Sequence, residues 1–555
     1  MKSSTNRLHL LTLFGAIILL FYGIKNVDKQ WDLTQDNRYT LGNNTLASIE
    51  RINQPLQIDV FLAGEIPPKY QRLRSELNIL LTQLKKINDF VAFNFIDPFE
   101  GSQSREQLIE ELYKFGLTPE LEVDQQNQST EQTLVIPWMV LNMGKRSVRV
   151  PLLQKNLGDT PEQRMEQSIQ LLEYTLLDGI HQLLLNKKKR IAVIKSHGTS
   201  EDKSLMSLLQ SLIPYYNLAA FDLKAFPELP QKTLENLLRF DLLLISNPTK
   251  LFTVEEKFML DQFTQQGGNT LFLINPVNIA KDSLFSLEGN ALAYPNPLEL
   301  DELFFKYGAR FNQDIVTDLF SAPIVLAQGE NAQSEYKPYP WIYHPLVQSP
   351  ENHAIGSAVR NIHQRFVSSI DTLYSEVKKT ILLKSSQRSK RKTPPFLIAL
   401  EEATQPLKPS LFDEDGAITG LLLEGRFPSL FTNRIAPFEW DKASQTIAAK
   451  MVLFSDGNMA ENQTDKGSPL ELGYDKWTNN LYGNKPFLQN TIHYLMNEDD
   501  RLMLRSKEIQ LAFIDKEKLA AKRFQFSLLA LLIPLGLLGL FGGFIFSYRK
   551  KLFSQ

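Results

Sequence analysis

Residues that could form a binding site follow three segments that the sequence predicts as strands of one sheet. They are His197, Gly198, Thr199, Glu201, Asn247 and Asn275. In an open parallel sheet, ligands bind at the edge where the carboxyl ends of the strands meet. We therefore expect these residues to border a candidate ligand-binding site. The competing interpretation is that they only make turns and cap helices.

The strands that would position these residues alternate with helices. Apolar strands are predicted at 190–195, 218–223, 241–246 and 270–274, with helices at 201–212, 231–238 and 254–266. This alternation favours a doubly wound parallel sheet of the flavodoxin or Rossmann-like kind, because each helical crossover must cover a face of the sheet. We assign this domain to 187–500, with an α+β insertion or extension at about 298–450 and a further strand at 451–455.

The preceding region, 30–186, shows a different order of elements. Strands and helices follow one another as β-α-β-α-β-β-α, and the last element is predicted as one long amphipathic helix at 162–186. This order resembles a thioredoxin-like fold. Because the chain contains no cysteine, the dithiol redox chemistry of such domains is excluded.

Two stretches of the α+β extension are predicted as loops. Pro338–Pro345 combines prolines with aromatic residues and is predicted to be a rigid aromatic loop. Residues 385–395 (SSQRSKRKTPP) carry four basic residues and are predicted to be an exposed, solvated loop. The alternative for the second stretch is a site for a phosphate or a lipid headgroup.

The motifs that would mark an enzyme are absent from the sequence. It has no glycine fingerprint for a dinucleotide and no G-x-S-x-G nucleophile elbow. The only partial resemblance to a nucleotide-binding loop, at 143–146 (MGKR), lacks both ends of the motif, so the chain is not expected to hydrolyse ATP. We predict no catalytic residue and no cofactor, although folding could still bring together the residues of a hydrolase.

Metal-binding patterns are incomplete. His344, His353 and His363 are spaced by about nine or ten residues, which matches neither a helical nor a hairpin ligand pair. Residues 413–416 (DEDG) imitate part of a calcium loop, but leucines occupy its first and last ligand positions. We therefore predict no metal site.

Composition limits the class of protein. The chain has 555 residues, of which 43% are hydrophobic, so it can form two or three domains with real cores. Its formal net charge of −2 gives no indication of nucleic-acid binding. Large domains do not need disulfides, so the absence of cysteine is compatible with a location outside the cytoplasm.

An uncharged apolar segment near the C-terminus, 524–548, is predicted to be a transmembrane helix. It runs for about 25 residues, enough to cross a hydrocarbon core of about 30 Å. Basic residues flank it, and Gly536, Gly539 and Gly543 share one helical face. Small residues at this spacing allow a second helix to pack closely, so we predict a helix-packing face there.

A second apolar segment, 8–24, follows Lys2 and Arg7 near the N-terminus. A cleaved signal peptide is the competing interpretation, but no small-residue cleavage site follows, so we favour an uncleaved transmembrane helix. The basic flanks then place both termini in the cytoplasm and the large domains on the other side of the membrane. A stalk at 501–523 would join these domains to the last helix.

Short motifs distributed over nearly the whole chain resemble those of a known family, the gliding-motility-associated ABC transporter substrate-binding proteins called GldG. The motifs are 38–41 (RYTL), 95–98 (FIDP), 306–308 (KYG), 379–386 (KTILLKSS), 433–438 (NRIAPF), 455–458 (SDGN), 483–487 (GNKPF) and 504–507 (LRSK). The chain departs from the family at Asn458, where such proteins often carry the second aspartate of Asp-Gly-Asp, which argues against a metal there.

The resemblance implies a non-catalytic accessory subunit, anchored in the bacterial inner membrane with its large domain in the periplasm. Its implied partners are an integral-membrane permease and a cytoplasmic ATPase of an ABC-type complex used in gliding motility. It also implies a likeness to the soluble domain of an intraflagellar transport protein. Two alternatives stay open: a periplasmic solute-binding receptor of that transporter, and a protein-assembly scaffold without a small-molecule ligand.

Overall fold

The computed structural model describes residues 40–498 and 523–553, apart from 101–104, 127–128, 155–158, 186–187, 287–288, 329–334, 350–352, 357–358, 360 and 442–445. The predicted N-terminal span at 8–24 and nearly all of the predicted stalk at 501–523 lie outside the described residues. The chain divides into two compact units, with residues 41–498 in one and the C-terminal helix in the other.

The first part of the larger unit is a four-stranded mixed sheet with helices. Its elements are α1 (Asn43–Glu50), β1 (Leu56–Val60), α2 (Pro68–Ile87), β2 (Val91–Phe95), α3 (Arg105–Lys114), β3 (Glu120–Gln126), β4 (Ser129–Val135), β5 (Trp138–Met143), β6 (Arg146–Pro151), α4 (Pro161–Gln170) and α5 (Leu172–Leu184). The sheet order is β2-β1-β5-β6, with β1 parallel to β2 and β5 antiparallel to both of its neighbours.

The predicted order of elements is present in this region, with the β3–β4 hairpin as an addition. The single helix predicted at 162–186 is wrong, because two helices meet at Leu171 instead. The first of them, α4, begins with a capping box in which the side chains of Thr160 and Gln163 each bond the other's backbone N–H. In α2, leucines at helical spacing form the buried face, at positions 73, 77, 81 and 84.

The next stretch alternates strands and helices, as the sequence predicts. Its elements are β7 (Arg190–Ile194), α6 (Asp202–Leu212), β8 (Asn217–Phe221), α7 (Pro230–Leu237), β9 (Leu242–Ser246), α8 (Val254–Gln265) and β10 (Asn269–Leu273). The strands β9 and β10 are buried at every position, which is the pattern expected of central strands with both faces covered.

Residues 277–425 form a β-rich extension of mostly short strands. Its elements are β11 (Val277–Ile279), α9 (Lys281–Leu284), β12 (Asn290–Pro295), α10 (Asp301–Tyr307), β13 (Ala309–Phe311), β14 (Ile315–Asp318), β15 (Ser321–Gln328), β16 (Glu335–Val347), β17 (Ile362–His363), β18 (Ile370–Thr372), β19 (Lys378–Lys384), β20 (Ser389–Lys392), β21 (Phe396–Ala399) and β22 (Ile418–Gly425). Both loop predictions here are wrong. Pro338–Pro345 lies inside β16, and β20 occupies part of 385–395 and pairs with β14.

The chain then returns to the parallel sheet and ends the larger unit with a helix. These last elements are β23 (Ala449–Phe454), β24 (Thr464–Asp465), β25 (Ser468–Pro469), β26 (Tyr474–Asp475), β27 (Asn480–Leu481) and α11 (Asn484–Leu495). The two short hairpins, β24–β25 and β26–β27, lie between β23 and α11 in the chain.

The central sheet has seven strands in the order β19-β22-β23-β10-β9-β7-β8. The five strands from β23 to β8 are parallel, which confirms the predicted doubly wound sheet. Numbered along the chain, these five follow the order 2-1-3-4-5 of flavodoxin-like sheets, whose direction of winding reverses between β7 and β9. The antiparallel strands β22 and β19 extend the sheet, although the sequence predicts them as part of a separate extension.

The C-terminal segment forms a helix, α12 (Arg523–Phe553), with Pro534 inside it. Large apolar side chains around it are exposed, including Leu538, Phe541 and Phe546. A Cβ placed at Gly536, Gly539 or Gly543 would meet no other atom within 4 Å. Over the part of the chain that the structure describes, no helix satisfies the combined length and hydropathy requirement for a membrane span.

Candidate functional site

A network of hydrogen-bonded polar side chains lies at the carboxyl ends of the parallel strands. Asn275 is at its centre, because its Nδ2 donates to Oδ1 of Asn247 (2.9 Å) and to Oδ1 of Asn458 (3.0 Å). The Glu461 carboxylate accepts from Nδ2 of Asn458 (2.8 Å) and from Oγ of Ser200 (2.8 Å). The structure thus brings together Asn247 and Asn275, as expected for neighbouring parallel strands. A ligand-binding role for them stays a prediction.

The turn after β23 closes this network. Gly457 donates its backbone N–H to Oδ1 of Asn275 (2.7 Å), and a Cβ at this glycine would lie 2.8 Å from the Asn247 side chain. Asp456 accepts the backbone N–H of Asn458 at one oxygen (2.8 Å) and that of Arg365 at the other (2.8 Å). The Asp456 carboxylate is therefore used to fix the turn and the backbone of Arg365.

His197 lies in the core instead of in this network. Only 3% of the residue is exposed, and its ring stacks on Phe252 with the centroids 3.9 Å apart and the planes 2° apart. Its Nε2 is 2.9 Å from Oε2 of Glu256. Its backbone has a φ of 66°, and its carbonyl accepts the N–H groups of Thr249 and Lys250. These contacts agree with the structural interpretation of His197, in which it makes a turn and packs.

The Glu256 carboxylate that meets His197 also caps α8. It accepts the backbone N–H of Thr253 (2.7 Å), whose hydroxyl accepts the N–H of Glu256 (3.4 Å). Burial by itself favours the neutral acid, but the hydrogen bonds from His197 and Thr253 and the charge of Lys224 together lower the pKa of Glu256. Its contribution to stability is therefore present above the ordinary carboxyl pKa and is lost as the pH falls through the lowered value.

The other residues of the predicted loop also have local roles. Gly198 has a φ of 62°, in the left-handed region that glycine tolerates. The hydroxyl of Thr199 donates to the carbonyl of Ile194 (2.7 Å), which closes the turn after β7. Glu201 is exposed at the N-cap position of α6 without a capping hydrogen bond from its side chain. These contacts are those of a turn and of a helix start, and a ligand-binding role for the loop stays a prediction.

Replacing His197 with alanine is expected to lower the free energy of unfolding by about 2–3 kcal/mol, because it removes a buried ring and that ring's hydrogen bond to the Glu256 carboxylate. Urea unfolding of the full chain would measure the change. The exposed neighbour Lys250→Ala serves as the control, with an expected change of about 0.5 kcal/mol or less. A His197→Ala loss no larger than that of the control would contradict the structural role.

A cleft of about 460 Å³ adjoins the polar network. The residues that line it are Phe285, Pro323, Ile324, Val325, Tyr336, His344, His363, Arg365, Phe366, Met459, Glu461, Gln463, Leu472, Gly473, Tyr474, Asp475, Trp477 and Asn484. One wall comes from the β-rich extension and the other from the segment between β23 and α11. Glu461 belongs to both the network and the cleft, so the cleft is continuous with the carboxyl edge of the sheet.

Aromatic side chains surround this cleft. Phe285, Tyr336 and Trp477 come from three separate parts of the chain and are 63%, 68% and 65% exposed. Within the cleft, the rings of His344 and His363 are 5.1 Å apart. A mostly apolar concave surface with a few converging polar groups is the usual form of a small-molecule site. The cleft is therefore a candidate small-molecule site.

The sequence analysis missed this cleft and Arg365. The lining residues are distributed from 285 to 484 and share no spacing, so no motif could have identified them. The spacing of His344 and His363 in the sequence does not indicate that their rings meet. Among the described residues, no group of three or more His, Asp or Glu side chains is placed to hold a metal ion.

Two family models match the chain. One, described as "ABC-type uncharacterized transport system", matches residues 188–491 and so covers the central sheet, the β-rich extension and the cleft. The other, described as a domain of unknown function (DUF7088), matches residues 35–142, in the first mixed sheet. A comparison with curated proteins gave no match.

A solved structure described as "mmIFT52 N-terminal domain" is also similar to the chain. The alignment has 12% sequence identity and a TM-score of 0.32, and it covers 56% of this chain and 97% of that one. At this level of similarity the likeness supports no conclusion about function.

Proposed function

Since the chain belongs to the family described as an ABC-type uncharacterized transport system, we propose that it is a non-catalytic accessory subunit of an ABC transporter complex. The family match over residues 188–491 is the observation that carries this proposal. The sequence has no nucleotide-binding loop of the kind that ATPases need, so a separate subunit must hydrolyse ATP.

The finer proposal is that the partners are an integral-membrane permease and a cytoplasmic ATPase of a complex used in gliding motility. It is supported by the ordered series of motifs from 38–41 to 504–507 that resemble the GldG family. In this proposal the chain is anchored in the bacterial inner membrane, with both termini cytoplasmic and the large domain periplasmic.

The C-terminal segment supports the membrane anchor through its chemistry. Residues 524–548 carry no charge, and large apolar side chains of α12 at positions such as 540, 541 and 544 are more than 60% exposed. Exposed apolar surface of this extent marks contact with lipid or with another helix. Because Gly536, Gly539 and Gly543 have open space above them, a permease helix could approach this face closely.

Replacing Gly539 with leucine is expected to reduce the amount of permease and ATPase that co-purifies with the tagged chain from mild detergent. Contacts between membrane helices contribute about 1–2 kcal/mol, so their loss should lower the co-purified amount by about fivefold or more. Phe541→Leu, on the other side of the helix, is the matched control and should leave the amount unchanged. Absence of both a permease and an ATPase from the wild-type preparation would contradict the accessory function itself.

A second candidate function is a periplasmic solute-binding receptor of the same transporter. The cleft of about 460 Å³ favours it, because pockets of about 300–1,000 Å³ hold small molecules. The two functions are compatible, since an accessory subunit could deliver a solute to the permease. Binding of a defined solute by the isolated full chain would support the receptor function independently of co-purification.

A further inference from the structure

Arg365 is a half-buried cation in the lining of the cleft. One of its guanidinium nitrogens, Nη2, donates to the backbone carbonyl of Asn458 (2.7 Å), and its backbone N–H is held by Asp456 (2.8 Å). Arg365 forms no ion pair, with nitrogen and oxygen atoms within 4.0 Å, to any residue that the structure describes. A guanidinium has five N–H donors, so Arg365 retains donors for an anionic ligand.

The two carboxylates in the cleft lining are already bound by other groups. Glu461 accepts hydrogen bonds from Ser200 and Asn458. Asp475 accepts from Nε2 of Gln463 (3.1 Å) and from the hydroxyl of Thr478 (2.6 Å). These bonds hold the two carboxylates in place, and neither carboxylate forms an ion pair with Arg365 in the part of the chain that the structure describes.

His363 also lines the cleft. Its Nε2 is buried and has no hydrogen-bond partner among the described residues. The residue is fixed by Asn484, which accepts its backbone N–H (2.9 Å) and donates to its carbonyl (2.8 Å).

The walls around these polar groups are aromatic and aliphatic. Phe285, Tyr336 and Trp477 are more than 60% exposed, and Ile324 and Phe366 extend the same apolar lining. Such walls bind the body of a ligand that is planar or apolar, while one or two polar groups fix its orientation.

From this combination we propose that the cleft binds a ligand with one carboxylate group on an apolar or aromatic body. The carboxylate pairs with the guanidinium of Arg365, and the body lies between the walls that carry Tyr336 and Trp477. A monoanion fits better than a phosphate dianion, because Glu461 and Asp475 would repel the additional charge. This inference rests on the receptor function proposed above.

Isothermal titration of the full chain in phosphatidylcholine nanodiscs tests the proposal with indole-3-acetate, 3-phenylpropanoate and their uncharged amides. The acids are expected to bind about tenfold or more tightly than the amides, because hydrogen bonds to charged groups are the stronger ones. Arg365→Gln is expected to weaken binding of the acids by a similar factor and to leave the amides unchanged. Trp477→Ala should weaken both.

The matched control is Arg388→Gln, since Arg388 is exposed and does not line the cleft. It should bind the acids like the wild type. Equal binding of acid and amide, undiminished binding by Arg365→Gln, tighter binding of phenyl phosphate, or no heat with any of the acids would each overturn the proposal. Because these titrations need no partner subunit, their failure is distinct from a failure of the accessory function.

The same carboxylate could belong to a free small molecule or to the carboxyl terminus of a polypeptide. Titration with the tripeptide Gly-Gly-Phe as free acid and as amide distinguishes these sources. Tighter binding of the tripeptide acid than of 3-phenylpropanoate would identify a polypeptide terminus, and the reverse order would identify a small molecule.

Discussion

Replacing Asp261 with alanine is expected to lower the free energy of unfolding by about 3–5 kcal/mol, since buried hydrogen-bonded charges are costly to disrupt. Asp261 lies in α8 and is fully buried. Its Oδ1 accepts from the hydroxyl of Tyr307 (2.9 Å) and the backbone N–H of Leu430 (2.9 Å), and its Oδ2 accepts from Oγ of Ser429 (2.7 Å). Alanine would remove the acceptor of all three donors, two of which, from Tyr307 and Leu430, are buried.

The ionisation of Asp261 adds a test of the same contacts. Burial raises the pKa of this carboxyl, although the hydrogen bonds from Ser429, Leu430 and Tyr307 act in the opposite direction. A raised pKa means that the folded chain binds the proton more tightly than the unfolded chain. The contribution of Asp261 to stability is therefore largest below the ordinary carboxyl pKa and falls as the pH rises through the raised value.

Urea unfolding of the full chain at several pH values would measure both effects. Asp261→Asn is the conservative variant, because its amide oxygen can still accept from Tyr307 and Leu430 and its NH₂ can donate to the Ser429 hydroxyl; its loss should be about 1 kcal/mol. Glu255→Ala, an exposed position in the first turn of the same helix, is the control for the loss of a carboxylate. Similar losses for Asp261→Ala and Glu255→Ala would show that the three hydrogen bonds do not stabilise the packing of Tyr307 and of residues 429–430 against α8.

The parallel sheet and its carboxyl edge could be predicted from the sequence because each strand there is a continuous apolar run. The apolar runs that end before Asn247 and Asn275 are each long enough to form a buried strand, and a helix separates them. Two strands joined by a helical crossover run parallel, so the alternation alone predicts that their carboxyl ends meet at the same edge of the sheet. The roles of individual residues could not be predicted from this alternation. His197 occupies the predicted position after β7, but Phe252 and Glu256, which are distant in sequence, draw its ring into the core.

The β-rich extension could not be predicted in the same way. Its strands are mostly two to eight residues long, so they contain too few residues for a period to be recognised. The prolines at 338 and 340 suggested a loop, yet both lie in β16, opposite Val325 and Pro323 of β15. Proline is tolerated in a strand where its missing N–H is not needed for pairing, which depends on tertiary register and not on local sequence.

The cleft combines the predictable parallel sheet with the extension, which could not be predicted. Its floor adjoins the predictable edge of the sheet through Glu461, whereas its walls come from the extension and from the hairpins before α11. The sequence therefore predicts the edge of the sheet at which a site could lie, but not the cleft itself. Its chemistry depends on Arg365, Tyr336 and Trp477, which only the folded chain places together.

Acidification from pH 6.5 toward pH 4 is expected to destabilise the chain, and replacing His363 with phenylalanine should remove part of that loss. Burial, with a further contribution from the positive charge of Arg365, lowers the pKa of His363 to about 3. In the unfolded chain the ring takes up a proton at about pH 6.5. The lowered pKa belongs to the folded state, so the contribution of His363 to stability is fully present above about pH 6.5. This contribution is lost as the pH falls toward 3, by up to about 1.4 kcal/mol per pH unit.

The phenylalanine variant isolates this effect because it keeps an aromatic ring against Tyr482 and His344, whose rings lie 4.9 Å and 5.1 Å from that of His363. The replacement also removes the buried Nε2, which has no partner among the described residues, so it should cost little at pH 7. Urea unfolding at pH 7, 6, 5 and 4 should then give a wild-type curve that falls more steeply than the variant's. Arg388→Gln, at an exposed position outside the cleft, is the control and should follow the wild type. Parallel curves for the wild type and His363→Phe would mean that His363 becomes protonated in the folded chain as readily as in the unfolded one, which its burial beside Arg365 does not allow.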